Sequence, residues 1–131
     1  MLYFIIVFII IVIFWIYLII KFQTKTWLSN EQKIFFEKKY KKISNWIDKK
    51  HQVIDFDKLY HKLLLDLWYK GSFGEILKQN PKEIDNINKI WELHKLRNKL
   101  VHDFDLLANT ILIKKSKEYR EEFNKILKKV S

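Results

Sequence analysis

The fold is decided first by residues 1–20, which read MLYFIIVFIIIVIFWIYLII and form an unbroken apolar stretch that ends at Lys21. As an α-helix rising about 1.5 Å per residue, this stretch spans about 30 Å, the thickness of the hydrocarbon core of a bilayer. Sixteen of its residues are Ile, Leu, Val or Phe. Their insertion into a membrane is favourable by roughly 5–10 kcal/mol in total. We therefore predict a single transmembrane anchor over residues 1–22, with membrane contact through residues 1–20.

The anchor is predicted to stay attached and to place the following residues in the cytoplasm. A cleaved signal peptide ends in small residues such as alanine, and the only alanine of the chain is Ala108. Nine lysines fall within residues 21–50, against three acidic residues. Because basic residues mark the cytoplasmic side of a span, we expect a single-pass protein of the inner (cytoplasmic) membrane with its N-terminus outside. A juxtamembrane linker over 23–29 then leads into a cytoplasmic helical domain over 30–131.

The composition excludes several classes of protein. The chain has no cysteine, so it forms no disulfide and no Cys-ligated zinc or iron–sulfur site. Its two glycines, Gly71 and Gly74, cannot build a phosphate-binding or dinucleotide-binding loop. The formal net charge of +10 is consistent with ordinary solubility and also with attraction to anionic lipid or nucleic acid. No cofactor is predicted.

The residues after the anchor show helical periodicity and none of the alternation typical of strands. Ser29 and Gln32 have the spacing of a capping box. The helix that follows them has an apolar stripe of Phe36, Tyr40, Ile43 and Ile47. Helices are predicted over residues 30–50, from a cap at Asp55 to Gly71, briefly over 72–79, and over 82–102 and 104–130. We therefore expect an all-α fold in which the anchor precedes an antiparallel four-helix bundle.

Four lysines form a basic cluster close behind the anchor: Lys38, Lys39, Lys41 and Lys42. A lysine near an anionic membrane surface contributes about 1 kcal/mol to binding. The cluster is therefore a candidate for contact with lipid, and the alternative is an ordinary solvated helix face.

The predicted helix over 82–102 carries polar side chains on both of its sides. The charged side holds Asp85, Asn88, Lys89, Glu92, Lys95 and Lys99. The apolar side holds four further polar residues among Ile, Leu, Val and Trp: His94, Arg97, Asn98 and His102. Because an unpaired buried polar group costs about 1–3 kcal/mol, these four must be satisfied by one another, by another helix or by a second chain. The apolar arc is also wider than one bundle needs, so we predict a homodimer through this helix.

Helix geometry limits what these residues can do together. His94 and His102 are eight residues apart, about 12 Å along a helix, so they cannot ligate one ion and no metal site is predicted. Arg97 and His102 are roughly 140° apart around an ideal helix. They converge on one substrate only if two chains cross there, or if the helix bends near its end, where Asp103 or Asp105 can start the next helix.

Arg97-Asn98-x-x-x-His102 resembles the R-x(4–6)-H motif of the HEPN superfamily, in which a polar residue commonly follows the arginine. Residues 91–103, which read WELHKLRNKLVHD, and residues 71–77, which read GSFGEIL, also resemble segments of small bacterial HEPN-like proteins. The resemblance covers about residues 30–130. It implies a small α-helical bundle, here anchored in a membrane, of a kind that usually dimerises.

The resemblance implies a metal-independent ribonuclease. In active HEPN proteins a ribose 2′-hydroxyl attacks the adjacent phosphate and leaves a 2′,3′-cyclic phosphate. His102 then serves as general base or acid, one from each copy of a dimer. Arg97 holds the scissile phosphate, and Asn98 orients the phosphate or His102. Three further residues of the same helix are candidates for contact with RNA: His94, Lys95 and Lys99.

Two other functions stay open. The motif residues can be structural in HEPN-like domains, which makes the domain a non-catalytic module for dimerisation or for binding an unidentified protein at the membrane. The basic cluster instead favours a scaffold that binds anionic lipid.

Overall fold

The computed structural model describes residues 1–22, 27–102 and 107–131, and these residues form helices and connecting turns with no strand among them. Within these ranges the helices are α1 (Leu2–Phe22), α2 (Asn30–Ser44), α3 (Lys49–Asp66), α4 (Phe73–Lys78), α5 (Ile87–His102) and α6 (Asn109–Val130). The prediction of an all-α chain is confirmed for the described residues.

α1 is the apolar helix expected at the N-terminus. No part of its window Leu2–Ile19 is buried inside the structure, and the window contains no charged residue. By length and composition α1 is able to cross a membrane once.

The start of α2 is fixed by the predicted capping box. The Ser29 hydroxyl accepts from the backbone N–H of Gln32 at 3.3 Å, and the Gln32 side chain accepts from the backbone N–H of Ser29 at 2.9 Å. Two donors that would otherwise lack an intrahelical partner are thereby satisfied. Phe36 and Ile43 of the predicted apolar stripe are buried.

The predicted boundary between the first two helices of this region is wrong. α2 ends at Ser44, because Asp48 caps a new helix by accepting from the backbone N–H of His51 at 3.0 Å. Asp55, the predicted cap, therefore lies inside α3. Ile47, placed in the apolar stripe of a longer helix, lies between the two helices and is 94% exposed.

The end of α3 also differs from the prediction. The helix ends at Asp66, before Gly71, and Trp68 takes a left-handed conformation with φ of 72°. Such a conformation is uncommon for a residue with a side chain, and for that reason the sequence points to the glycine instead. Gly71 has a positive φ of 114° as well, but it lies in the turn that leads into α4.

The last two helices start later than predicted. α5 begins at Ile87 because the Asn86 side chain accepts from the backbone N–H of Lys89 at 3.0 Å, and the residues after Pro81 form turns rather than helix. α6 is helical from Asn109. The predicted caps Asp103 and Asp105 lie outside the described residues.

One apolar core lies between α2, α3, α5 and α6. α3 packs most extensively on α6, and it also packs on α5 and α2. Aromatic rings fill its centre: Phe36, Phe56, Tyr60, Tyr119 and Phe123. Burying one large apolar side chain contributes about 1.5–3 kcal/mol, so this cluster supplies a large part of the folding free energy.

α5 and α6 run in opposite directions, which decides where the predicted site lies. Glu92 of α5 pairs with Lys115 in the first third of α6. Asp85, just before α5, pairs with Lys129 near the end of α6 at 2.6 Å. His102 therefore lies at the end of the helix pair that is opposite to Lys129.

Candidate functional site

The predicted residues of α5 meet around a buried carboxylate of α3. Asp57 is 3% exposed, and its Oδ1 accepts a hydrogen bond from the Tyr119 hydroxyl at 2.7 Å. The same oxygen lies 2.9 Å from Nδ1 of His94. The second oxygen, Oδ2, lies 3.6 Å from Nε of Arg97, a distance that makes an ion pair but is too long for a hydrogen bond. Side chains of α5 and α6 thus meet at one carboxylate of α3.

Asn98 joins Arg97 to His94 on the outer side of this cluster. Nη1 of Arg97 donates to the Asn98 side-chain oxygen at 2.9 Å, and the Asn98 amide nitrogen lies 3.4 Å from Nε2 of His94. Since a carboxylate only accepts, Nδ1 of His94 carries the proton toward Asp57, and Nε2 accepts from Asn98. A closed ring of interactions therefore joins four residues: Asp57, His94, Asn98 and Arg97. We call these four residues and Tyr119 the Asp57 network.

The electrostatics of the Asp57 network match this arrangement. Burial, followed by the charge of Asp57, raises the pKa of the Tyr119 phenol well above its usual range, so the hydroxyl remains a donor. Nε of Arg97 is buried and has no hydrogen-bond partner among the described residues. Nη2 likewise makes no hydrogen bond to a described residue, and the Arg97 side chain is 25% exposed. Because Nε is buried beside Asp57, the donors that an anionic ligand can use are those of the Nη atoms.

α4 covers His94 from the outside. The Phe73 ring meets the His94 ring edge to face, with centroids 4.8 Å apart. A Cβ added to Gly74 would lie 3.6 Å from the Trp91 ring and 4.0 Å from Nε2 of His94, so the glycine packs directly against α5. Only 13% of the His94 side chain is exposed. The structure therefore places His94, a candidate for RNA contact, inside the Asp57 network and largely out of solvent.

His102 lies apart from the Asp57 network. It is the last residue of α5, it is exposed, and it forms no hydrogen bond or ion pair with another described residue. α5 runs without a break from Ile87 to His102, so Arg97 and His102 stay on different sides of the helix. Among the described residues, neither another residue of this side nor another helix satisfies His102, so its predicted contact with a second chain stays a prediction.

The two lysines predicted to contact RNA lie on the outer surface of α5. Lys95 and Lys99 are both exposed, and Nζ of Lys95 lies 6.0 Å from the centroid of the Trp91 ring. On the neighbouring surface, Lys89 binds Glu118 of α6 at 2.7 Å. Burial alone would raise the pKa of Glu118, but hydrogen bonds from Lys89 and Lys115 outweigh it and lower that pKa. These ion pairs hold α5 against α6.

The basic cluster of α2 does not form a single patch. Its four lysines are all exposed: Lys38, Lys39, Lys41 and Lys42. Lys39 and Lys42 line a groove of about 400 Å³ between α2 and α3. Lys41 instead lines a groove of about 370 Å³ on the other side of α2, against α6. A ligand lying flat on one side of α2 therefore meets only part of the cluster.

Sequence reasoning missed Asp57 and the role of Tyr119. Asp57 follows Val53 by four residues and precedes Tyr60 by three, so it falls within the apolar stripe of α3. A lone acid in such a stripe, opposite a helix with Arg and His on its apolar side, is a detectable signal of a buried ion pair. Tyr119 gives no such signal, because a tyrosine in an apolar stripe reads as core.

Comparison of the chain with protein-family models, with curated proteins and with solved structures found no match. Among the described residues, no group of three or more His, Asp or Glu side chains is placed to hold a metal ion.

Proposed function

We propose that this protein is a single-pass protein of the inner membrane whose cytoplasmic helices form a HEPN-like domain that cleaves RNA as a dimer without a metal ion. The observation that carries the proposal is the placement of the motif on α5. Arg97 is oriented by Asp57 and Asn98 and keeps unused donors, and His102 is exposed five residues further on. The R-x4-H resemblance supplies the reaction that such a pair performs.

Arg97 suits the binding of a scissile phosphate. Its ion pair with Asp57 and its hydrogen bond to Asn98 hold the guanidinium in one orientation before a ligand arrives. A planar guanidinium with free donors can bind two phosphate oxygens at once. It also offsets the negative charge that develops on the phosphorus oxygens during attack.

The reaction needs one base and one acid. A neutral His102 takes the proton of the ribose 2′-hydroxyl, the 2′-oxygen bonds to phosphorus and the bond from phosphorus to the 5′-oxygen breaks. The leaving 5′-oxygen receives a proton from a protonated His102 of a second copy. The products are a 2′,3′-cyclic phosphate and a free 5′-hydroxyl. Histidine suits both roles, because both protonation states of an imidazole are accessible near neutral pH.

A dimer is required because α5 is straight through the motif. On one uninterrupted helix Arg97 and His102 are roughly 140° apart and do not converge. The last turn of α5 and the first turns of α6 expose three aliphatic side chains: Val101, Ile111 and Ile113. The proposed second copy is seated at this end, where it brings its own His102 and covers part of this apolar surface.

The test is RNA cleavage by the full-length protein in detergent or nanodiscs, with EDTA present and mixed-sequence RNA as substrate. We expect product ends that carry 2′,3′-cyclic phosphate. Arg97→Ala and His102→Ala should each lower the rate by about 100-fold or more. His51→Ala is the matched control, because His51 is also an exposed histidine but lies on α3. A His102→Ala protein that cleaves at the wild-type rate would rule out the proposed chemistry.

A second candidate function is a non-catalytic dimerisation or protein-interaction module. The specific observation in its favour is that Arg97, Asn98 and His94 are all engaged within the chain and tie α5 to α3. This candidate predicts no cleavage by the wild type. It also predicts that Arg97→Ala weakens the dimer, which light scattering in detergent detects as a lower mass of the protein. An intact dimer in that variant, together with cleavage by the wild type, would exclude it.

A further inference from the structure

One end of the helical region is held close to α1 by covalent connectivity. Leu28 follows Phe22, the last residue of α1, by six positions, and six residues of fully extended chain span at most about 22 Å. The backbone N–H of Leu28 donates to the carbonyl of Val130, in the last turn of α6, at 2.8 Å. The C-terminal end of α6 therefore lies within a short distance of the end of α1.

The surface at this end is basic and carries an exposed indole. Trp27 is 61% exposed, Lys82 and Lys129 are exposed beside it, and Lys128 is exposed one position before Lys129 in the last turn of α6. We call these four residues the tether end. Trp27, Lys82 and Lys129 line a shallow cavity of about 310 Å³ together with Val130 and Glu83.

Two acidic side chains lie at the tether end. Asp85 pairs with Lys129 at 2.6 Å. Glu83 is buried: one oxygen accepts from the Tyr69 hydroxyl at 2.8 Å, and Oε1 has no hydrogen-bond partner among the described residues. Lys82 and Lys128 form no ion pair with a described residue, so their charges are left for an external anion.

We infer that the tether end lies on the membrane surface and binds the anionic headgroups of phospholipids. This inference rests on the part of the proposed function that makes α1 a membrane anchor. Tryptophan is enriched where protein meets the headgroup region, and each lysine near an anionic surface strengthens contact about fivefold. The short connection to α1 keeps Trp27 and these lysines close to the membrane surface, and it thereby raises their effective concentration there.

The same geometry weakens the case for the basic cluster of α2. α2 starts beside the tether end, and Lys42 lies twelve positions after Asn30, about 18 Å further along the helix axis. Electrostatic attraction between exposed charges is screened within about 8–10 Å at physiological salt. The lysines of the tether end therefore contribute more to lipid contact than Lys38 and Lys42 do.

The inference also orients the candidate site. α5 starts near the tether end, where Asp85 pairs with Lys129, and His102 lies about 22 Å further along its axis. Arg97 and His102 then face away from the membrane. RNA and a second copy reach the site from the aqueous side.

The absence of cysteine makes a direct test possible in the full chain. Ser131→Cys places a fluorophore at the tether end, and Asn45→Cys places one just after α2. Both proteins are reconstituted into vesicles of phosphatidylcholine and phosphatidylglycerol that contain a lipid with a quencher on its headgroup. We expect the label at position 131 to be quenched more strongly, and we expect this quenching to fall in high salt.

Charge removal then separates the two lysine groups. Lys82→Gln combined with Lys128→Gln should lower the equilibrium constant for contact between the label at position 131 and the membrane surface about tenfold or more. The matched pair Lys38→Gln and Lys42→Gln should leave it unchanged. Equal quenching at positions 131 and 45, or a larger effect of the second pair, would overturn the inference. Flotation of the same samples distinguishes failure of the anchor from failure of the tether-end contact. Protein that does not float refutes the anchor as well. Floating protein with equal quenching refutes only the contact of the tether end.

Discussion

Two parts of α5 that belong to one sequence motif have opposite surroundings. Arg97 and Asn98 are tied to Asp57 and His94 in a network that reaches three helices, whereas His102 stands exposed in the final turn with no partner among the described residues. A substitution in the network changes folding and any chemistry at the same time. A substitution at His102 leaves these contacts intact, so it affects any chemistry without disturbing the network. The comparison therefore shows which variants can distinguish a catalytic role from a structural one.

The cost of disturbing the Asp57 network follows from burial. An ion pair taken out of water gains little net free energy, because desolvation of both charges offsets their attraction. Removing one partner is far more costly, since the remaining charge then stays buried without compensation. The network thus stabilises the packing of α5 on α3 mainly by penalising every arrangement that separates Asp57 from Arg97.

The largest expected effect is that of Asp57→Ala. The change leaves Arg97 without its counter-ion, and it leaves the His94 and Tyr119 donors without an acceptor. We expect the free energy of unfolding to fall by about 3–5 kcal/mol, as for other broken buried ion pairs. Urea unfolding of the full chain in detergent measures it. Asp55→Ala is the matched control, because the one ion pair of Asp55 among the described residues is with an exposed lysine, Lys58, at 3.7 Å. This variant should lose less than about 1 kcal/mol.

A smaller effect is expected for Tyr119→Phe. The change removes a single hydrogen bond to the buried carboxylate and keeps the aromatic ring in the core. Hydrogen bonds to charged groups contribute about 1.5–3 kcal/mol, and the same unfolding experiment should show a loss in this range. Tyr60→Phe is a matched control, since Tyr60 is equally buried and its hydroxyl has no hydrogen bond to a described residue. Equal losses in the two variants would mean that the Tyr119 hydroxyl contributes nothing specific.

Local sequence patterns were sufficient to predict that the helices exist, because helix formation depends on periodicity and on caps that lie within a few residues. The capping box of Ser29 and Gln32 and the apolar helix at the N-terminus were predicted at their observed positions. Boundaries failed where two signals competed. Asp48 and Asp55 both qualify as caps, and Asp48 is used because its side chain reaches the backbone of His51.

The sequence predicts the α5 residues of the Asp57 network but not their partner on α3. The apolar side of α5 identified His94, Arg97 and Asn98 as residues in need of partners, since a helix wheel shows which side chains face the core. Their partner Asp57 is separated from His94 by 37 positions in the chain. Which residue of α3 meets α5 depends on how the helices pack, and no local pattern specifies that register.

The smallest effect on folding is expected for His102→Ala, and it decides the most about function. An exposed side chain without a partner in the described structure contributes within about 0.5 kcal/mol to the free energy of unfolding, so thermal unfolding of the variant should match that of the wild type. The same variant should lose about 100-fold or more of the RNA cleavage if His102 transfers protons. A structural role within one copy cannot produce that combination, and an unchanged dimer mass by light scattering excludes a role in the dimer contact. If His102→Ala instead unfolds several kcal/mol more easily, its side chain has a partner that a single copy does not supply. The dimer contact would then be its principal role.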